Sequence, residues 1–430
     1  MGKTSSVARR TQLILGASFS AATIVFLLVF YLTGTESEVA ETYFPYADEL
    51  VRGSIPQMEY PPFALMFIAI PRLFAGTTFG YEIAFAAEAF VFFMIGLIVT
   101  RKLAKRYCRN QNAMMLFYTV LMVLMVEFVL DRYDIFPAIL TFLSFYCLVT
   151  KRYAYAFALL SIATMTKLYP AVLFPIYLIP FISNRDWSNT LRGAGAFFIT
   201  AFVIVLPFLF FEPAAVFYFL GYHMDRPLQV ESTAASFIAF ASILGLTNTW
   251  VEFGFGSDNL MGPWSDAAAS CLTSLIMFSV ILIYVWYAYM LSKLRKEEHD
   301  NENNSIILMS GATLLSILAF IICGKVFSPQ YMVWVIPFIV FILMTSIDRV
   351  SKRYIIGLSV AAILLTQLNY VVNMGISGGG DGITDIGMII ILVRNIMVIV
   401  FFAYIMRKCG ESVKNNLWRA QRPSSDTKVY

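Results

Sequence analysis

Charge is what this sequence has least of. Only 13% of its 430 residues are Asp, Glu, Lys or Arg, against roughly 25% in a soluble domain, and that excludes a soluble globule. Histidine occurs twice, at His223 and His299. The five cysteines (Cys108, Cys147, Cys271, Cys323, Cys409) fall in no disulfide framework and no metal-ligand spacing, so no metal is expected. No Gly-rich nucleotide loop is present. GGGDG at 378–382 follows no strand and reads as a turn, so no cofactor is implied. The net charge of +4 is too small to mark a nucleic-acid binder.

What the sequence does have is apolar runs. Hydrophobic residues make up 59% of the chain, and a spanning helix needs about 20 mostly apolar residues. Runs at 12–34, 80–100, 112–130, 133–150, 153–169, 170–183, 190–211, 267–292, 305–323, 331–347, 354–373 and 386–406 predict an all-α polytopic membrane protein of about 12 transmembrane helices. Residues 1–406 form one transmembrane domain and 407–430 a polar cytoplasmic tail. The first run is too long for a signal-peptide core and lacks an A-x-A cleavage site, so it reads as a retained anchor. With the N-terminus cytoplasmic, the inner segments hold 24 of the 31 basic residues, as the positive-inside rule requires. Both termini are then cytoplasmic in a multi-pass plasma-membrane protein. Residues 61–76 are apolar but short and Pro-flanked, and counting them as a crossing would invert every later loop. They read instead as a juxtamembrane helix in the first outer loop.

Two outer segments, 35–79 and 212–266, are long and rich in aromatics and proline. Long loops are commonly functional, and both are expected to fold and form the site. The first carries six carboxylates: Glu36, Glu38, Glu41, Asp48, Glu49 and Glu59. Glu38 and Glu41 follow the first span at the membrane surface, where a carboxylate can act as general base towards a sugar hydroxyl. The competing reading is a solvated acidic loop. D-R-Y-D (Asp131 to Asp134) lies where the third span meets the outer face. It is either functional or an ion pair of Arg132 with Asp131 or Asp134.

Lys167, in T-K-L-Y-P, is the lone charge in a long apolar stretch. It can hold a lipid phosphate or simply snorkel to the interface. G-Y-H-M-D-R-P-L-Q-V-E-S (Gly221 to Ser232) offers His223 and Arg226, the latter suited to gripping a phosphate. His299 sits in the polar cytoplasmic run KEEHDNENN. Gln330 lies in the short outer loop K-V-F-S-P-Q-Y. Arg394 lies inside the last span, where a lone charge is expensive and needs a partner: a phosphate, or a carboxylate such as Glu88 or Asp385.

In this order the landmarks Y-F-P-Y-A-D-E-L-V-R-G, E-Y-P-P-F-A, R-Y-D-I-F-P, T-K-L-Y-P, H-M-D-R-P-L-Q-V-E-S and S-P-Q-Y-M-V-W resemble the GT-C superfamily of membrane glycosyltransferases. Within it they resemble glycosyltransferase family 87, which includes polyprenol-phosphate-mannose-dependent mannosyltransferases. The resemblance implies a GT-C-like fold and a polyprenyl-phosphate sugar donor. It implies transfer to a lipid or glycan acceptor among membrane lipids at the outer face, with inversion and without a nucleotide. Members usually carry an aspartate before the first-loop tyrosine motif. Here only glutamates stand there, so the catalytic base falls on Glu38 or Glu41. Glu59, Asp134, Lys167, His223, Arg226 and Gln330 carry over as substrate-binding residues, joined by Asp131 and Arg394. A transporter or flippase is the alternative, but such proteins show internal repeats and midplane charges. This chain shows no repeat and gathers its charges at the outer ends of spans.

Overall fold

In hydrocarbon a backbone N–H or C=O has no water to bond, so an apolar segment satisfies these groups internally as helix. The computed structural model, which describes residues 2–33, 37–296, 302–345, 347–376 and 384–420, follows that rule. It begins with α1 (Gly2–Thr33). A helical turn (Val39–Tyr43) then runs into α2 (Phe44–Val51), followed by α3 (Ala64–Arg72) and α4 (Thr78–Tyr107). Next come α5 (Gln111–Leu124), α6 (Val126–Leu130), α7 (Ile135–Val149), α8 (Tyr153–Thr166), α9 (Leu173–Ser183) and α10 (Trp187–Phe211). Segment 212–266 holds α11 (Pro213–Asp225), α12 (Thr233–Ile243) and the strands β1 (Trp250–Gly254) and β2 (Ser257–Met261). The chain ends with α13 (Pro263–Lys296), α14 (Glu302–Ile322), α15 (Met332–Met344), α16 (Arg349–Ile376) and α17 (Asp385–Ala420). Glu36, His299 and the GGGDG turn lie outside the described residues.

Each expected span contains a helix, yet among the described residues only α4, α10, α13, α14, α16 and α17 are long and apolar enough to cross a membrane unaided. α1 has only a short apolar part, Arg10–Phe26, and the rest are shorter helices: 14 residues in α5 and α8, 15 in α7 and 13 in α15. At 1.5 Å per residue these reach only about 20 Å of a core about 30 Å thick. The run expected as one span at 112–130 is broken at Met125. Gln367 of α16 takes the carbonyl freed at the break, its Nε2 donating to Leu124 O at 2.7 Å. Helix breaks at membrane depth persist when a neighbour satisfies the released group in this way. α15 is buried along its whole length among α4, α5, α7, α14 and α16. α10, by contrast, turns Phe198, Phe202 and Phe210 outward, as a lipid-facing helix would. α17 continues to Ala420, well into the expected polar tail.

Both segments expected on the outer face are folded in their described residues. Arg72 of α3 bonds Asp48 of α2 at 2.9 Å and holds that carboxyl below its usual range. Tyr81 of α4 donates to Ile68 O at 2.7 Å, fixing α3 to α4. In the second segment a hairpin departs from the expected all-helical chain. β1 and β2 pair antiparallel from Trp250↔Met261 to Gly254↔Ser257. Phe255 (φ 53°) and Gly256 (φ 65°) adopt the two positive φ angles that a two-residue turn of this hand needs. The chain at 228–230 joins the hairpin: Leu260 N donates to Leu228 O (2.8 Å) and Val230 N to Asp258 O (3.1 Å). Gln229 N faces the other way and donates to Lys325 O at 3.0 Å, which draws the 325–331 turn into the same corner.

Candidate active site

α8 ends at Thr166, and Lys167 leaves it in extended conformation (φ −155°, ψ 140°), so its side chain escapes the helix row. Its Nζ lies 2.7 Å from Asp134 Oδ1. It also sits over the rings of Tyr133 (4.7 Å), Tyr331 (5.3 Å) and Trp334 (5.3 Å). Trp334 Nε1 donates to the same Asp134 oxygen at 2.6 Å. Its ring is stacked between Tyr169 (4.0 Å, 4°) and Tyr331 (3.8 Å, 22°). A lone buried carboxylate is costly, and two N–H donors offset that cost. Three motifs far apart in sequence therefore close on one carboxylate.

The D-R-Y-D pairing meets the expectation in part, because Arg132 does pair with Asp131, but at longer range than with a residue of another loop. Arg132 pairs with neither aspartate first. Its Nη1 lies 2.6 Å from Glu38 Oε2 and 3.6 Å from Asp131 Oδ2, while Asp134 belongs to Lys167. The Arg132 Nη1 contact is one of charge, because it lies outside hydrogen-bond alignment. Asp131 Oδ1 accepts from Glu38 N at 2.8 Å. Burial pushes Asp131 up to about 7, opposed by Arg132 and reinforced by Glu38. Glu41, by contrast, is exposed.

The first loop reaches the Lys167 corner through Phe63 N, which donates to Met165 O at 2.8 Å. Tyr60 packs on Tyr133 (4.6 Å) and Tyr43 (6.1 Å), and Tyr43 on Tyr133 (5.9 Å). Glu59 accepts from Tyr46 OH at 2.7 Å. His223 sits against the Glu59 backbone. Burial lowers it to about 4, with Arg226 and Lys167 adding repulsion, so it is neutral near pH 7. Arg226 donates to Ser257 Oγ at 3.0 Å and lies 5.9 Å from the Tyr222 ring. Its buried Nε has no hydrogen-bond partner. Arg226 and Arg132 both lie within electrostatic range of Lys167, and Glu38 and Glu59 within range of Tyr60 and Tyr222.

Glu38, Glu59, Asp131, Asp134, Lys167, His223 and Arg226 thus form one continuous neighbourhood. Gln330 is half-buried in the turn Pro329–Tyr331 beside it. Arg394 is elsewhere and fully buried. Its Nη2 donates to Glu231 O at 2.6 Å and its guanidinium lies 4.0 Å over the Phe327 ring. The carboxylate near it is Glu231, at 3.9 Å, rather than Glu88 or Asp385. Burial pushes Glu231 up to about 7 against the pull of Arg394.

Sequence reasoning noted Gln229 beside His223 and Arg226 but gave it no role; its Nε2 donates to Ser328 Oγ and its Oε1 accepts from Phe327 N, both at 2.9 Å. Sequence reasoning missed Trp334, which only its place in S-P-Q-Y-M-V-W signalled. A cleft of about 760 Å³ lined by Glu49, Ser54, Gln57 and Glu212 among others lies on the two segments expected to form the site but includes none of the residues expected as catalytic or substrate-binding. Among the described residues no three His, Cys, Asp or Glu side chains converge as a metal-binding group.

The profile described as glycosyltransferase family 87 matches residues 59–320, more than half the chain and most of the neighbourhood above. The chain is also similar to a crystal structure of ArnT from Cupriavidus metallidurans bound to undecaprenyl phosphate. Identity is 14% and the TM-score 0.46, covering 93% of this chain and 77% of that one. No curated protein matches the chain. On the match over residues 59–320, this membrane protein belongs to glycosyltransferase family 87.

Proposed function

We propose that the chain transfers a sugar, mannose by family precedent, from a polyprenyl-phosphate donor to a lipid or glycan acceptor at the outer face of the plasma membrane, inverting the anomeric configuration. In this reading the chain crosses about 12 times with both termini cytoplasmic, and α3 lies along the outer interface. The observation that carries it is the pairing of two cations with spare donors. Lys167 spends one of its three N–H groups on Asp134, and Arg226 keeps a buried Nε unpartnered. Together they suit a phosphate, which accepts charge-assisted hydrogen bonds.

The chemistry follows from charge flow. Glu38 takes the proton of the acceptor hydroxyl, and the oxygen attacks the anomeric carbon from the face opposite the phosphate. The anomeric C–O bond then breaks, and the electron pair leaves on the lipid phosphate, where Lys167 and Arg226 stabilise the growing charge. Glu38 suits the base role better than Glu41 because it is half-buried and its position is fixed by Arg132. Glu59 and His223 border the acceptor side, with His223 neutral and able to hydrogen-bond. The test is to incubate purified protein with polyprenyl-phosphate-mannose and candidate acceptors and to measure released polyprenyl phosphate. Release with a glycosylated product is expected. No turnover with any lipid-phosphate sugar, together with substrate uptake into vesicles, would replace this reading with a transporter.

A further inference from the structure

We infer that Trp334 is a positioning residue of this site: its indole N–H, held on Asp134, aims the Lys167 ammonium at the lipid phosphate. The inference rests on the function proposed above, but its geometry stands apart from it. A buried indole needs an acceptor, and a backbone carbonyl would serve. Here the acceptor is a buried carboxylate from another segment, and its Oδ1 is also the counter-ion of Lys167. The three groups come from the start of α7, the α8–α9 link and the start of α15, so no local folding requirement brings them together.

The indole cannot swing away. Tyr169 and Tyr331 clamp its two faces at 4.0 and 3.8 Å. Tyr169 is two residues beyond Lys167, so the segment that carries the ammonium also braces the ring that fixes its counter-ion. The N–H draws part of the carboxylate charge, which weakens the grip of Asp134 on Lys167. The ring faces of Tyr133, Tyr331 and Trp334 flank the ammonium without taking its remaining N–H groups as a carboxylate would. The side chain as a whole is 15% exposed.

The experiment uses the full chain in lipid nanodiscs and the variant Trp334→Phe, which keeps the stacked ring and deletes the N–H. With farnesyl phosphate as probe, binding is expected to weaken about tenfold, the scale of one hydrogen bond to a charged group. In an Asp134→Asn background the same substitution is expected to add little, because the indole acts through Asp134. Equal losses in both backgrounds, or no loss in the native background, would overturn the inference. A second measurement needs no phosphate probe. Reductive methylation of Lys167, followed by peptide mass spectrometry, is expected to slow at least severalfold in Trp334→Phe, since an unshared Asp134 holds the ammonium harder. An unchanged rate sinks the inference. If the rate slows but native protein binds no farnesyl phosphate, the proposed donor fails while the positioning role of Trp334 on Lys167 stands. Trp334→Leu, which removes the stacking as well, shows how much of any effect is packing.

Discussion

Glu38 and Arg132 face each other at 2.6 Å, joining the first outer loop to the end of α6. The contact is only part-buried, so its worth lies in placement more than in stability. It fixes a carboxylate beside Tyr43 and Tyr60, one segment away from Lys167.

From that placement, Glu38→Gln should lower transfer by about a hundredfold or more, the usual loss when a general base is removed, with little change in donor affinity. Glu41→Gln, at an exposed position, should stay near native activity. Initial rates at saturating donor and a separate binding titration check both. Full activity in Glu38→Gln would move the base to Glu59, Asp131 or Asp134.

Removing Lys167 should injure both stability and function, and the two can be separated. Lys167→Met leaves Asp134 buried with Trp334 alone, and breaking a buried pair from one side costs about 3–5 kcal/mol. Adding Asp134→Leu removes the stranded charge, so thermal stability should largely return. Donor binding should not return, because the cation is still missing. Recovery of transfer in the double variant would show that Lys167 serves the fold and not the phosphate.

Two kinds of group set the response to pH. His223 has its folded value lowered from 6.5 to about 4 by burial first, then Arg226 and Lys167. Its contribution to stability is therefore full above pH 6.5 and is lost as pH falls towards 4. Asp131 works the other way. Burial raises it from 3.8 to about 7, so the folded state favours its protonated form and stability declines as pH climbs between those values. Melting temperature against pH should show His223→Gln flattening the acid side and Asp131→Asn flattening the rise to neutrality. A break in the transfer rate near pH 6.5 that vanishes in His223→Gln would contradict the lowered value.

How much of this was legible beforehand depends on what each residue answers to. Hydropathy and charge placed the helices, because a run of apolar residues has few folds open to it in a bilayer. They did not show the break at Met125, where Gln367, far along the chain, satisfies Leu124 O. Lys167 stood out as a lone cation, but its partner did not, since Asp134 and Trp334 are brought to it only by tertiary packing. Arg132 was read against its sequence neighbours, although its close partner lies in another loop. The hairpin escaped notice because its strands alternate poorly: only Asn259 and Leu260 in β2 are buried.

Arg394 tests the boundary between holding a ligand and holding the site. Its Nη2 reaches Glu231 O at 2.6 Å and Phe327 O at 3.5 Å. Its neighbour Asn395 donates to Glu231 O and Ser232 O, each at 3.2 Å. The last helix thereby grips the two segments that carry Arg226 with Gln229 and Gln330 with Trp334. Arg394→Met should lower stability by roughly 3–5 kcal/mol, as the loss of a buried charged partner does. It should also speed hydrogen exchange through residues 225–232 and 325–331. Glu231→Gln should do less harm, because the stronger bonds go to backbone oxygens that the substitution leaves in place. A stable Arg394→Met protein with unchanged exchange and weakened donor binding would return Arg394 to the phosphate-binding role that its place in the sequence suggests.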